Sequence, residues 1–272
     1  MARRSGEKSI SRKEHSMKTN GIIVYEGPSQ IDGKPIVAIA TGFSRKSNNP
    51  KTGDMIQTFI LRAGISAHEA HSCGADFSVC GDCKHRKWGT CYVNVYQSPN
   101  NVSKAYMDGS YEKFGPNNAH LFVGRKLRIG SYGDPAAVPF GVWNGLVEMS
   151  SGHDGYSHQW KNCDPRFKKI VMASVDNIKE MKQAHAMGWR TFRVVLPEDK
   201  PTQAEFVCPA SDEGGKKIQC DKCLCCSGLA SKAKSVTIVA HGGGIGNFKA
   251  ARFIAIMRKI RQKKKYTHLI PV

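Results

Sequence analysis

Cysteine spacing constrains this chain more than any other feature. Cys73, Cys80, Cys83 and Cys91 fall in one short stretch; Cys208, Cys220, Cys223 and Cys226, with Cys225 beside the last, fall in another. Each stretch contains a C-x2-C pair, and such a pair on a tight turn brings two thiolates to one metal. In the first pair, Gly81 lets the backbone fold over between Cys80 and Cys83. Cys91 follows after seven residues, and His68, His71 and His85 lie nearby as substitute ligands. That set suffices for a tetrahedral zinc, or for a 4Fe-4S cluster held by three cysteines with one iron open. The third cysteine would be Cys73 or Cys91. The second group has a C-x2-C-x2-C core, and the Pro after Cys208 stiffens a ligand turn. Four cysteines would close that site, as in a structural zinc or an auxiliary cluster. Buried thiols alone would explain cysteine content, but Asp82, Lys84, Asp221 and Lys222 make these surroundings polar. Cys163 stands alone and reads as a packing or surface thiol.

The compartment bears on that reading. Met1 to Lys18 is charged and lacks an apolar signal core, and no apolar run approaches the ~20 residues that span a bilayer. The expectation is a soluble cytoplasmic protein, whose thiols stay reduced and serve metals rather than disulfides. The formal net charge of +19 over 272 residues calls for a polyanionic partner, nucleic acid or a nucleotide first and an acidic membrane surface second.

Residues 1–19, rich in Lys, Arg and Ser, read as a disordered basic tail. Residues 20–120 read as a β-rich segment carrying the first cysteine group. Strands are expected at Gly21–Tyr25, Pro35–Ala40 and Met55–Leu61, with Asp32-Gly33 as a turn and a helix capped by Ser66 and Glu69. Residues 121–246 read as βα units with the second cysteine group. Strands are expected at Lys126–Tyr132, Ile170–Ser174, Thr191–Leu196 and Ser235–Ala240. Helices are expected at Phe140–Met149, with Trp143, Leu146 and Val147 on one face, and from Asp176 or Asn177 to Met187. The fold class is α/β, with parallel βα units in a partial or irregular barrel behind an N-terminal β-rich segment. Ligands should then gather at the carboxyl ends of the strands. Residues 247–272 read as a basic C-terminal helix whose Arg258, Lys259, Arg261, Lys263, Lys264 and Lys265 could grip phosphates.

The triplet Cys73, Cys80, Cys83, followed by βα units and the run Gly130-Ser-Tyr-Gly-Asp-Pro135, resembles the radical S-adenosylmethionine (SAM) superfamily. More narrowly, Cys73 to Leu196 is similar in order to radical-SAM-like bacteriophage proteins of unassigned function. Gly155–Trp160 and Met187–Arg193 add to that likeness. The triplet is C-x6-C-x2-C, whereas the commonest radical-SAM spacing is C-x3-C-x2-C, and Cys91 competes for the third position. The resemblance implies a 4Fe-4S cluster that binds SAM at its open iron and makes a carbon radical. It implies that Gly130, Ser131, Gly133 and Asp134 face the SAM amino group or ribose. If the protein is phage-encoded, its compartment is the host cytoplasm.

Tyr156, His158 and Trp160 could line a substrate pocket or simply pack as a loop, and Asp134, Tyr156 and His158 are the candidate catalytic residues. Asp176 reads as a helix cap. His241-Gly-Gly-Gly-Ile-Gly246 reads as a flexible turn, since it lacks the P-loop Lys-Ser/Thr. Two functions are expected from these residues. One is a radical-SAM-type iron–sulfur enzyme acting on a nucleotide or nucleic acid. The other is a non-catalytic, zinc-stabilised nucleic-acid-binding protein.

Overall fold

The computed structural model describes residues 20–44 and 51–240, together with 246, 249 and 250. The apolar runs near the start form a meander of β1 (Gly21–Pro28), β2 (Pro35–Thr41) and β3 (Met55–Arg62), paired antiparallel. The Asp32-Gly33 turn joins the first two, with the Lys34 N–H donating to Asp32 Oδ1 at 3.1 Å. Helix α1 (Ala67–Cys73) starts as its cap residues require: Ser66 Oγ accepts from the Glu69 N–H at 3.1 Å. Helices α2 (Phe77–Cys80), α3 (Lys84–Trp88) and α4 (Ser98–Met107) follow.

A short β4 (Glu112–Lys113) pairs parallel with β1. The βα part comprises β5 (Lys126–Tyr132), α5 (Phe140–Met149), β6 (Gly152–Ser157), β7 (Met172–Val175), α6 (Ile178–Ala186) and β8 (Thr191–Val195). It ends with β9 (Glu205–Val207), α7 (Cys220–Cys223) and β10 (Ser235–Val239). All ten strands form one open, mixed α/β sheet in the order β4-β1-β2-β3-β5-β6-β7-β8-β10-β9. Among the described residues only β2 runs against the rest. The sheet crosses residue 120 without a break, because β3 pairs directly with β5.

Three details go beyond or refine the sequence reading. Gly152–Ser157, where no strand was expected, is a central strand; its His153 and Asp154 are buried, and Arg128 on β5 partners Asp154. The cysteine-rich insertion contributes β9, which pairs parallel with β10. Of the two residues expected to cap α6, Asn177 does so, accepting from the Glu180 N–H at 2.9 Å, and Asp176 does not.

One face of the sheet is apolar and packed. Leu127 and Ile129 of β5 are fully buried, and Trp143 of α5 donates its Nε1–H to the Pro135 carbonyl at 2.9 Å. The opposite face presents Arg128, Gly130 and Tyr132, because successive side chains of a strand alternate. Arg193 on β8 reaches Glu205 on β9 across β10, with two bonds of 2.7 Å, and both side chains are buried. Among the described residues no helix is long and apolar enough to cross a membrane. Arg193→Met should lower unfolding free energy in urea by about 3 kcal/mol, because the Glu205 charge would be left buried without its partner.

Candidate metal centre

The opposite face of the sheet, which carries Arg128 and Tyr132, lines a cavity of about 250 Å³. Strands supply Arg128, Tyr132, Tyr156, Ser174, Phe192 and Ile238 to its wall. Both cysteine groups open onto it: Cys80, Cys83 and Cys91 from the first, Cys208 and Cys220 from the second. The two groups, far apart in sequence, therefore share one chamber.

The first group is held in place by the end of β5. The Asp134 N–H donates to the Val79 carbonyl at 2.6 Å, tying the strand end to α2. Gly81 takes φ +59°, and a Cβ there would meet the Gln159 amide at 2.5 Å. That amide donates to the Cys80 carbonyl at 3.3 Å and to Asp82 Oδ1 at 3.0 Å. Burial, then the neighbouring Cys83 and Cys91, pushes the Cys80 thiol well up. Burial also pushes Cys83 up to about 12, although its sulfur accepts backbone N–H bonds from Arg86 and His85. Cys91 is exposed as a residue, yet enclosure of its thiol raises it against an N–H bond from Val93. Without a cation these thiols stay protonated; a metal would displace the protons. Cys73 is exposed on α1, with its thiol 3.8 Å from the Ala70 carbonyl, and it does not line the cavity. His68 stacks on Tyr96 at 4.6 Å and His71 pairs with Asp76 at 3.0 Å.

The second group is equally anchored. The Cys220 N–H donates to the Lys51 carbonyl at 2.8 Å, and the Cys226 carbonyl accepts from Gly155 of β6 at 3.2 Å. Burial pushes Cys220 up to about 12, with Asp154 adding to the rise. Cys208 and Cys223 also face it, and Cys226 is raised well up by burial and Asp154. Cys225 lies against Cys223 and Arg190. Cys163 packs against the main core, its N–H donating to the Gln159 carbonyl at 2.9 Å.

Between the groups lies a buried pair that the sequence reading passed over. Arg128 Nη1 donates to Asp154 Oδ2 at 2.9 Å and Nη2 to the Tyr92 hydroxyl at 3.4 Å. The guanidinium also sits 5.3 Å from the Tyr156 ring centre. Burial works against its charge, but Asp154 holds Arg128 cationic. A charged residue inside an otherwise apolar strand pattern was the signal available for it.

The remaining candidate residues divide. The Asp134 carboxylate is buried and already committed. It accepts from Ser157 Oγ at 2.7 Å and from the N–H groups of His158 at 2.7 Å, Ala136 at 3.0 Å and Gln159 at 3.3 Å. Burial lifts it to about 6 despite those four donors. Gly130 donates its N–H to Thr58 Oγ1 at 2.8 Å, and Ser131 Oγ donates to Gln57 Oε1 at 2.7 Å. Gly133, at φ +81°, would place a Cβ 2.7 Å from Ile60 Cβ. These residues shape the strand end that carries the cysteine loop. Tyr156 and His158 line the cavity, whereas Trp160 is core, its Nε1–H donating to the Ser174 carbonyl at 3.1 Å. The basic residues Arg258, Lys259, Arg261, Lys263, Lys264 and Lys265, the tail 1–19 and His241 lie outside the described residues.

Among the described residues, one trio of His, Cys, Asp or Glu brings its ligand atoms all within 4.8 Å of one another: His85, His158 and Asp176. No three cysteine sulfurs do so among those residues. Thiolates about 2.3 Å from a tetrahedral zinc would stand about 3.8 Å apart.

Comparison with protein-family models, with curated proteins and with solved structures finds no match to this chain.

Asp134→Asn should cost about 2 kcal/mol in urea unfolding, because an amide nitrogen would face donors that now point at a carboxylate oxygen. His158 gives a pH-dependent expectation. Enclosure depresses it from 6.5 to about 4, with Asp176 opposing the shift and His85 adding to it. The unfolded chain takes up this proton near 6.5 and the folded chain only near 4. The stability involved is complete above pH 6.5 and is lost as pH falls towards 4. In metal-free buffer, the stability of His158→Gln should fall less steeply than wild type across that window. Parallel curves would contradict it.

Proposed function

We propose that the protein is an iron–sulfur enzyme of the radical-SAM type acting on a nucleotide or nucleic acid. The observation that carries this reading is the convergence of Cys80, Cys83 and Cys91 on a cavity roofing a parallel sheet. Three thiols would hold a 4Fe-4S cluster with one iron open towards that cavity. Cys91 takes the third place because its thiol interacts with Cys80 and Cys83, while Cys73 points to its own helix.

The cavity suits SAM in one further respect. The Tyr132 hydroxyl is buried there without a hydrogen-bond partner, beside Cys80 and Cys91. An orphaned buried hydroxyl is costly unless a ligand engages it. When bound, the cluster and SAM would supply electron transfer and reductive cleavage; binding, orientation and exclusion of water fall to the protein. Arg128, fixed by Asp154, offers a positive charge to an anionic substrate, and the net charge of +19 favours the same substrate class. Cys208, Cys220, Cys223 and Cys226 would hold an auxiliary cluster on the same chamber.

Protein purified anaerobically should be brown and contain iron and acid-labile sulfide. Cys80→Ser, Cys83→Ser and Cys91→Ser should each lose the iron of the first site, and Cys73→Ser should keep it. Colourless protein with stoichiometric zinc alone would overturn the reading. Equal loss in Cys73→Ser and Cys91→Ser would overturn the ligand set.

A further inference from the structure

We propose that His85, His158 and Asp176 form a mononuclear site for a divalent first-row metal, separate from the cysteines and open to the same cavity. Each ligand comes from a different part of the fold. His85 lies in α3, His158 just beyond β6 and Asp176 just beyond β7. Adjacent parallel strands thus bring the second and third together, and the cysteine loop lays the first over them.

The distances fit coordination. His85 Nε2 lies 3.0 Å and His158 Nε2 3.9 Å from the same oxygen, Asp176 Oδ1. Donor atoms about 2.1 Å from one metal stand roughly 3.0–3.4 Å apart, depending on geometry. His158 must therefore move closer to Asp176 Oδ1 by about half an ångström for both to bind one metal. His158 Nε2 is also buried and has no hydrogen-bond partner. A buried ring nitrogen without a partner is rare, and a metal is what neutral imidazole binds best.

The surroundings hold the ligands as metal sites require. Thr90 Oγ1 lies 2.7 Å from His85 Nδ1, fixing the ring so that Nε2 points at the site. Lys84 Nζ pairs with the other oxygen, Asp176 Oδ2, at 3.1 Å and with Glu180 at 2.7 Å. A metal on Oδ1 would replace the 3.0 Å hydrogen bond it now shares with His85 Nε2, and Glu180 balances Lys84. Two histidines and one carboxylate suit Fe(II), Zn(II) or Co(II). His85 and His158 both line the cavity, so the open coordination positions face it. A metal there could bind an oxygen of a substrate phosphate or carbonyl as a Lewis acid.

The probe is Co(II) added to the full chain, since it reports its ligands optically and by paramagnetic shifts. Beyond any Co(II) that shows thiolate charge-transfer bands, wild type should bind one further equivalent and show two strongly shifted imidazole N–H proton signals. His158→Gln and Asp176→Asn should each lose that equivalent and those signals while keeping their iron and sulfide content. The inference fails if both variants bind as much Co(II) as wild type. It also fails if wild type saturated with Co(II) shows no shifted imidazole signals, a result that needs no variant to fold. The iron and sulfide content answers separately for the cysteines, so neither reading stands or falls with the other.

Discussion

A buried carboxylate with four donors around it organises this molecule. Asp134 sits where β5 ends, and its oxygens collect Ser157, His158 and Gln159 from the end of β6 together with Ala136 from its own turn. Its N–H simultaneously grips Val79 at the start of the cysteine loop. One residue thereby ties two neighbouring strands to the segment that carries Cys80 and Cys83. Removing solvent from such a group is expensive, and only the full set of donors offsets it. With the Gln159 and Asp176 contacts, that junction positions the thiols over the sheet.

Charge in the chamber follows the same logic. The thiols on its wall are enclosed, and every enclosed neighbour makes the next harder to ionise. Arg128 is the fixed positive charge between the two cysteine groups, held by Asp154 and by the face of Tyr156. In a low-dielectric space a positive centre of that kind acts at longer range than it would in water. It favours anionic species at the centre of the cavity, whether thiolates, clusters or a substrate. The Lys84–Asp176–His85 contacts provide a second polarised wall next to Cys83.

Much of the scaffold was legible in the residues. The runs at 35–40, 55–61 and 126–132 are apolar enough to be strands in any context, and the Ser66/Glu69 cap names its own helix. What escaped depends on partners distant in sequence. Gly152–Ser157 lacks an apolar pattern and becomes a strand only because Arg128 compensates Asp154 and the neighbouring strands complete its ladder. Asp176 looks like a helix cap until His85 arrives, leaving Asn177 to cap. Asp134 looks like a free carboxylate until its four donors are counted. The cysteines were readable as ligands by spacing, but their shared chamber was not, because it depends on β10 lying between β8 and β9.

The way the first cysteine loop is anchored sets an order of events for the nascent chain. Its fixings at Asp134, Gln159 and Asp176 all lie far downstream of Cys91, and the second group is emitted later still. A ribosome that has just released Cys91 exposes four thiols with nothing to hold them in register. The chamber exists only once β6 and β7 have joined β5. Assembly of the chamber is therefore a late step, coupled to completion of the sheet.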